Sequence, residues 1–212
     1  IEPERATPSA SLPPAGTWHE GDHTTHFAVL DSEGNAVAAT LSINLPFGAA
    51  FTVPGTGVLL NDEMDDFAAD VQGANAYGLA GSQANTIAGG KRPLSSMSPS
   101  FIESVDEFAA FGTPGGSRIP SMVLLSMLEY LDDQPIGRWP AVARYHHQFL
   151  PDVIEHEPDT FSAEQIAALQ KRGHALKPLE RQYGNQQVLL WDKASGEVQA
   201  ASDPRGIGEA TP

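Results

Sequence analysis

The chain has 212 residues, of which 41% are hydrophobic and 18% charged, enough for one domain with a substantial core and unlike a disordered or coiled-coil composition. Its 27 acidic residues outnumber 12 basic ones, for a net charge of −15 with neutral histidines. That argues against nucleic acid or an anionic membrane as the main partner, since both need a basic footprint. With no cysteine present, thiol catalysis, disulfides and cysteine-based zinc sites are excluded. No apolar run reaches the roughly 18 residues that span a bilayer, and no signal pattern opens the chain. It begins at Ile1 rather than Met, from which we expect that something upstream was removed, was cleaved off or lies in another chain, so export stays open.

Residues 1–23 hold four prolines and no apolar period, which predicts an extended segment. From Thr24 the pattern alternates to Leu30, turns at Asp31 to Asn35, and resumes from Ala36 to Asn44, which predicts a β-hairpin. An acidic turn follows at Asn61 to Asp66. Residues 68–93 are rich in Gly, Ala and Asn without a usable period and read as a long functional loop. Glu107 to Gly112 reads as a short buried strand leading into Thr113-Pro114-Gly115-Gly116. Pro120 then opens a helix, Ser121 to Leu131, apolar enough to be buried on most sides. A second helix is expected near Ala141 to Gln148. A third, Ala163 to Gly173, is capped by Ser162, with Glu164 in its first turn and Lys171 and Arg172 in its last. Gln187 to Trp191 and Glu197 to Ala201 read as strands around Ser195-Gly196. Strands adjacent in sequence favour antiparallel pairing in an α+β fold.

Four segments in order carry a resemblance. They are Thr24-Thr25-His26-Phe27-Ala28-Val29, Leu60-Asn61-Asp62-Glu63-Met64-Asp65-Asp66-Phe67, Gly90-Lys91-Arg92-Pro93-Leu94-Ser95-Ser96-Met97-Ser98-Pro99, and Pro114-Gly115-Gly116-Ser117-Arg118. Arg144 to Pro151 and Ala201 to Arg205 fit as well. Together they resemble the small, C-terminal subunit of a γ-glutamyltranspeptidase, from about Thr24 to Arg205.

The resemblance implies an N-terminal-nucleophile hydrolase with an αββα sandwich, of which this chain supplies about half and a large subunit of the same precursor the rest. Residues 1–23 become the tail of that large subunit, and residues 24–212 the small catalytic subunit. The precursor would cut itself before Thr24. The freed α-amine, with an ordinary pKa of about 7.7–8, can act as base for the Thr24 hydroxyl, which attacks a γ-glutamyl carbonyl. Water or an amino-acid or peptide acceptor then takes the acyl group. Thr25 competes for this place; the family pattern favours the first of the pair. His23 differs from the residues expected before the cut.

Further roles follow from the resemblance. Ser42 bonds the nucleophile, where threonine is the usual residue, and Asn44 binds the donor's amino-acid end. Glu63 and Asp66 hold the substrate α-ammonium. The same turn offers oxygens for calcium, but the EF-hand spacing and its glycine are missing. Ser95 and Ser96 bind the α-carboxylate, which an arginine of the large subunit would also contact; Lys91 and Arg92 read as structural. Gly115 and Gly116 form the oxyanion hole, and Tyr77 belongs to a lid. No cofactor or metal is implied, and the histidines at 26, 146 and 147 read as structural. Glutathione is the expected donor, and a periplasmic or secreted location follows from the resemblance alone. A related acylase taking a glutaryl group is the competing enzyme, though an anion at Asp66 suits a substrate that carries an ammonium. The remaining alternative is an inactive, unprocessed precursor fragment, in which Thr24 would keep an amide nitrogen and lack its base.

Overall fold

The computed structural model describes residues 24–68, 73–79 and 81–211. The expected extended segment 1–23 lies outside the described residues.

β1 (Thr24–Leu30) and β2 (Ala36–Ser42) form the expected hairpin, pairing Thr24 with Ser42 and Leu30 with Ala36. Its turn is held by Asp31, whose carboxylate accepts the Glu33 and Asn35 backbone N–H groups and the Asn35 side-chain amide, each at 2.9 Å. β3 (Ser100–Glu103), β4 (Glu107–Gly112), β8 (Gln187–Asp192) and β9 (Val198–Ser202) make a four-stranded antiparallel sheet in the order β3-β4-β8-β9.

The position of β4 explains its unbroken apolar run. A strand buried on both faces needs apolar residues at every position. Phe108 and Ala110 face the hairpin, where Ala28, Leu30, Ala36 and Ala38 pack against them. Ala109 and Phe111 face the other way, onto Ile119, Met122 and Val123 of α1 (Ile119–Leu131). Trp139 stacks on Phe111 with ring centroids 5.6 Å apart. Three layers result: helix, sheet and hairpin. The hairpin's small side chains point at the sheet, while Phe27, Val29, Val37 and Leu41 remain exposed on its far side.

Three expectations need correction. α1 is not buried on most sides within this chain: Leu124, Leu128 and Leu131 are exposed, because nothing in the described residues covers the face they share. The helix expected near Ala141 to Gln148 is absent. That stretch contains β5 (Tyr145–His146), which pairs antiparallel with β6 (Ile154–His156); β6 in turn pairs parallel with β7 (Leu176–Pro178). Exposed Tyr145 between buried Arg144 and His146 follows the two-residue period of a strand, and the buried Arg144 pairs with Asp203. The β6–β7 pair is also an exception to the antiparallel expectation.

α2 (Ala163–Lys171) begins as expected at Ser162, in a complete capping box with Gln165. The described residues of the 68–93 stretch are mostly loop, with a short 3-10 turn at Gln83–Asn85.

Candidate active site

Thr24 opens β1, and the hairpin register sets it opposite Ser42 at the end of β2. Their hydroxyl oxygens are 2.9 Å apart. The Asn44 backbone N–H donates to Ser42 Oγ at 2.8 Å, so the serine proton is left free to point at Thr24. Asn44 itself is buried with a positive φ of 70°, a conformation asparagine tolerates better than most side chains. Its amide donates to the Asp62 carbonyl at 3.3 Å, and the Leu45 N–H donates to Asp62 Oδ1 at 3.0 Å. Asp62 thereby ties the hairpin end to the acidic turn, a role the sequence reading missed although the residue stands inside a quoted motif.

Glu63 and Asp66 bracket a 3-10 turn. Burial, then the Asp66 charge, raises the pKa of Glu63 above the usual carboxylate range. Burial, then Asp65, does the same for Asp66. The two acids share a hydrogen bond, which raises Glu63 further and lowers Asp66. Asn75 donates to Asp66 Oδ1 at 3.3 Å and places Tyr77 through its own turn. Tyr77 donates from its hydroxyl to the Asn44 carbonyl at 3.2 Å, and its pKa is pushed up to about 12, first by burial and then by the acidic turn.

Gly115 (φ 141°) and Gly116 (φ 56°) occupy backbone conformations that disfavour a side chain. A Cβ on Gly116 would also strike the Tyr77 ring, and one on Gly115 would strike Met122. The turn Gly116–Arg118 runs directly into α1, so the glycine N–H groups lie at the positive end of a helix.

One cavity gathers Thr24, Ser42, Asn44, Glu63, Asp66, Tyr77, Ser95, Ser96 and Gly116. Nine of the ten predicted site residues therefore line it, and the tenth, Gly115, adjoins Gly116. The apolar lining, Leu79, Leu94, Met97 and Ile119, was not anticipated, although Leu94 and Met97 flank the two serines within their motif. Lys91 donates to the Ala84 and Thr86 carbonyls, a loop-bracing role. His26 is buried, bonded to Thr40 Oγ1 at 2.9 Å, and burial lowers its pKa to about 4. No group of three or more metal-ligating side chains occurs among the described residues.

A family model described as gamma-glutamyltranspeptidase matches residues 1–212. The chain belongs to the gamma-glutamyltranspeptidase family. It is 36% identical over 214 residues to a glutathione hydrolase proenzyme of Escherichia coli, covering 100% of this chain and 36% of that protein. It is 39% identical over 212 residues to the glutathione hydrolase proenzyme of Pseudomonas aeruginosa, covering 98% of this chain and 37% of that one. Little more than a third of the length of these curated relatives is thus spanned. A crystal structure of a threonine-to-alanine mutant of Helicobacter pylori gamma-glutamyltranspeptidase superposes with a TM-score of 0.81 at 36% identity, covering 86% of this chain and 100% of that chain. The mixed α+β layers described above are those of this N-terminal-nucleophile hydrolase family.

Proposed function

We propose that this chain carries the nucleophile of a γ-glutamyltransferase and glutathione hydrolase, released when the precursor cuts itself before Thr24. The observation that carries the reading is the 2.9 Å approach of the Thr24 and Ser42 hydroxyls inside a cavity that also holds two neighbouring acids and two serines. On this reading residues 1–23 belong to the large subunit and 24–212 to the small one. The large subunit is the partner, and export accompanies the assignment. No helix among the described residues is long and apolar enough to cross a membrane.

The chemistry proceeds as follows. The Thr24 α-amine takes the hydroxyl proton while Oγ1 attacks the γ-carbonyl. Ser42 donates toward Oγ1 and fixes its direction. Negative charge on the carbonyl oxygen is met by the N–H groups at Gly115 and Gly116; a single donor of this kind is worth about 10²–10³ in rate. Glu63 and Asp66 hold the donor's ammonium and the Ser95 and Ser96 hydroxyls its carboxylate, so only an α-amino acid end satisfies both. A glutaryl group would leave the two acids unpaired. Tyr77 lines the cavity and packs against Gly116, a place that suits a lid over the donor.

The test is Thr24→Ala in the full-length precursor. Self-cleavage and donor hydrolysis should both fall to background while the fold is kept. Turnover retained by this variant would overturn the assignment.

A further inference from the structure

The residues proposed to hold the donor's two charged groups stand on loops distant in sequence, Glu63 and Asp66 on one, Ser95 and Ser96 on the other. A side chain that the proposed chemistry does not use spans the two loops. The Asn85 amide donates to the Asp66 carbonyl at 2.7 Å, and Asn85 Oδ1 accepts the Leu94 backbone N–H at 3.0 Å. Asp66 is itself a proposed ligand of the ammonium, and Leu94 immediately precedes Ser95. One planar amide therefore reaches both halves of the donor site from outside the cavity that holds Thr24.

Asn85 is fixed in its turn. It closes the 3-10 turn Gln83–Asn85, with its backbone N–H donating to the Ser82 carbonyl at 3.1 Å. Its own carbonyl accepts the Ala68 N–H at 2.9 Å, which lays the segment after Asp66 beside that turn. Lys91 donates to the Ala84 and Thr86 carbonyls at 3.2 and 3.0 Å, gripping the chain on either side of Asn85. The Asn85 backbone and both ends of its side chain are thus all engaged, so the amide has a set direction. Beyond Leu94, Ser95 Oγ accepts the Met97 N–H at 3.3 Å, which leaves the Ser95 proton free for a carboxylate.

The ammonium and carboxylate of an α-amino acid are attached to one carbon, so their separation is fixed. A site that binds both must keep its two halves at a matching spacing, to within about 0.5 Å. A ligand with only one of the groups can settle against either half and does not feel that spacing. We infer that Asn85 is a positioning residue: it sets the spacing between the ammonium and carboxylate halves of the donor site and thereby selects a complete α-amino-acid end. This rests on the donor-site reading above. Asn85 acts through Asp66 and Ser95 and touches no reacting atom.

The test uses the full-length processed protein hydrolysing a γ-glutamyl anilide, with three competitive inhibitors. L-Glutamate carries both groups on its α-carbon, glutarate lacks the ammonium, and 4-aminobutyrate lacks the α-carboxylate. In Asn85→Ala the inhibition constant of L-glutamate should rise about tenfold or more, while those of glutarate and 4-aminobutyrate stay within about twofold, since only the two-ended ligand depends on the spacing. KM for the anilide should rise with that of L-glutamate. None of these constants depends on how much of the chain is folded and processed, so partial loss of protein does not imitate the effect. If Asn85→Ala yields no processed protein, Asn85→Gln, which keeps the amide on a longer stem, is measured instead, with the same pattern expected. An unchanged L-glutamate constant, or three constants that rise together, would overturn the inference. So would a rise that L-glutamate shares with either one-ended ligand, which is damage to one half rather than to the spacing. Donor hydrolysis with L-glutamate unaffected by the substitution sinks this inference alone; native protein that binds L-glutamate no better than the one-ended ligands overturns the donor-site reading with it.

Discussion

Two clusters of charge in this chain are built in opposite ways. Arg144, Glu157, Asp203 and Arg205 lie in the interior with their charges matched two against two. Arg144 and Arg205 both pair with Asp203, and Arg205 Nη2 meets Glu157 Oε2 at 2.7 Å. Each of these four carboxylate oxygens also accepts a backbone N–H, from Arg144, Tyr183, Gln186 or Arg205. This cluster pins the C-terminal tail to the segment before β5 and to the strand entry at Tyr183–Gln186. Glu63 and Asp66, in contrast, are half-buried, of one sign, and both raised in pKa. The first cluster balances its own charges and serves the fold, although the Arg144 Nε N–H is buried without a partner among the described residues. The second has charge of one sign only, and on the proposed reading a cationic ligand completes it. Burial of charge does not by itself distinguish the two; the presence or absence of the opposite charge does.

If that contrast is correct, damage to each cluster should appear in different measurements. The largest effect on stability is expected for Asp203→Asn, which leaves Arg144 buried without its counter-charge. A loss of about 3–5 kcal/mol in denaturant unfolding is predicted, with catalysis falling only as far as folded protein is lost. Next comes Gly116→Ala. Its Cβ meets Tyr77 at a φ of 56°, beside the proposed oxyanion. We expect a drop of about 10²–10³ in kcat with a smaller change in KM, read by steady-state kinetics.

Glu63→Gln should act the other way round. It relieves repulsion with Asp66, so thermal unfolding should rise slightly or stay level, while KM for the donor increases about tenfold or more. A stability loss matching that of Asp203→Asn would erase the contrast. The smallest effect is the pH dependence. The donor's ammonium needs ionised acids, and both acids have raised pKa values in the empty site. Donor affinity should therefore be full near neutral pH and weaken as pH falls, starting above the ordinary carboxylate range. For stability the sign is opposite: raised acids favour the folded state as pH falls, since protonation removes the repulsion. Donor KM measured between neutral and acid pH checks the first statement.

The fold and site were legible to different degrees, for physical reasons. The hairpin, β4, α1, α2, β8 and β9 were readable because each has a clear period or a local cap, such as Ser162 with Gln165. Most of the residues that the resemblance assigns to the site could be named because they stand in short contiguous motifs, while Ser42, Asn44 and Tyr77 stand outside them. The Arg144 region was not. Its conformation is decided by Asp203, 59 residues away, and its strands β5 to β7 have only two or three residues each, too short to show a period. The bridge made by Asn85 was equally hidden, since Asp66 and Leu94 lie 19 and 9 residues from it. The exposed apolar stripe on α1 was misread because a sequence shows that a residue is apolar but not which chain covers it.

The central claim is that Thr24 becomes a free N-terminal nucleophile, and the most direct measurement is the intact mass and N-terminal sequence of the purified, full-length expressed protein. A small subunit beginning Thr24-Thr25-His26, and a Thr24→Ala precursor that stays whole, are the predicted results. A mature chain beginning at Thr25, or a native precursor still joined at His23-Thr24 after long incubation, would contradict the account.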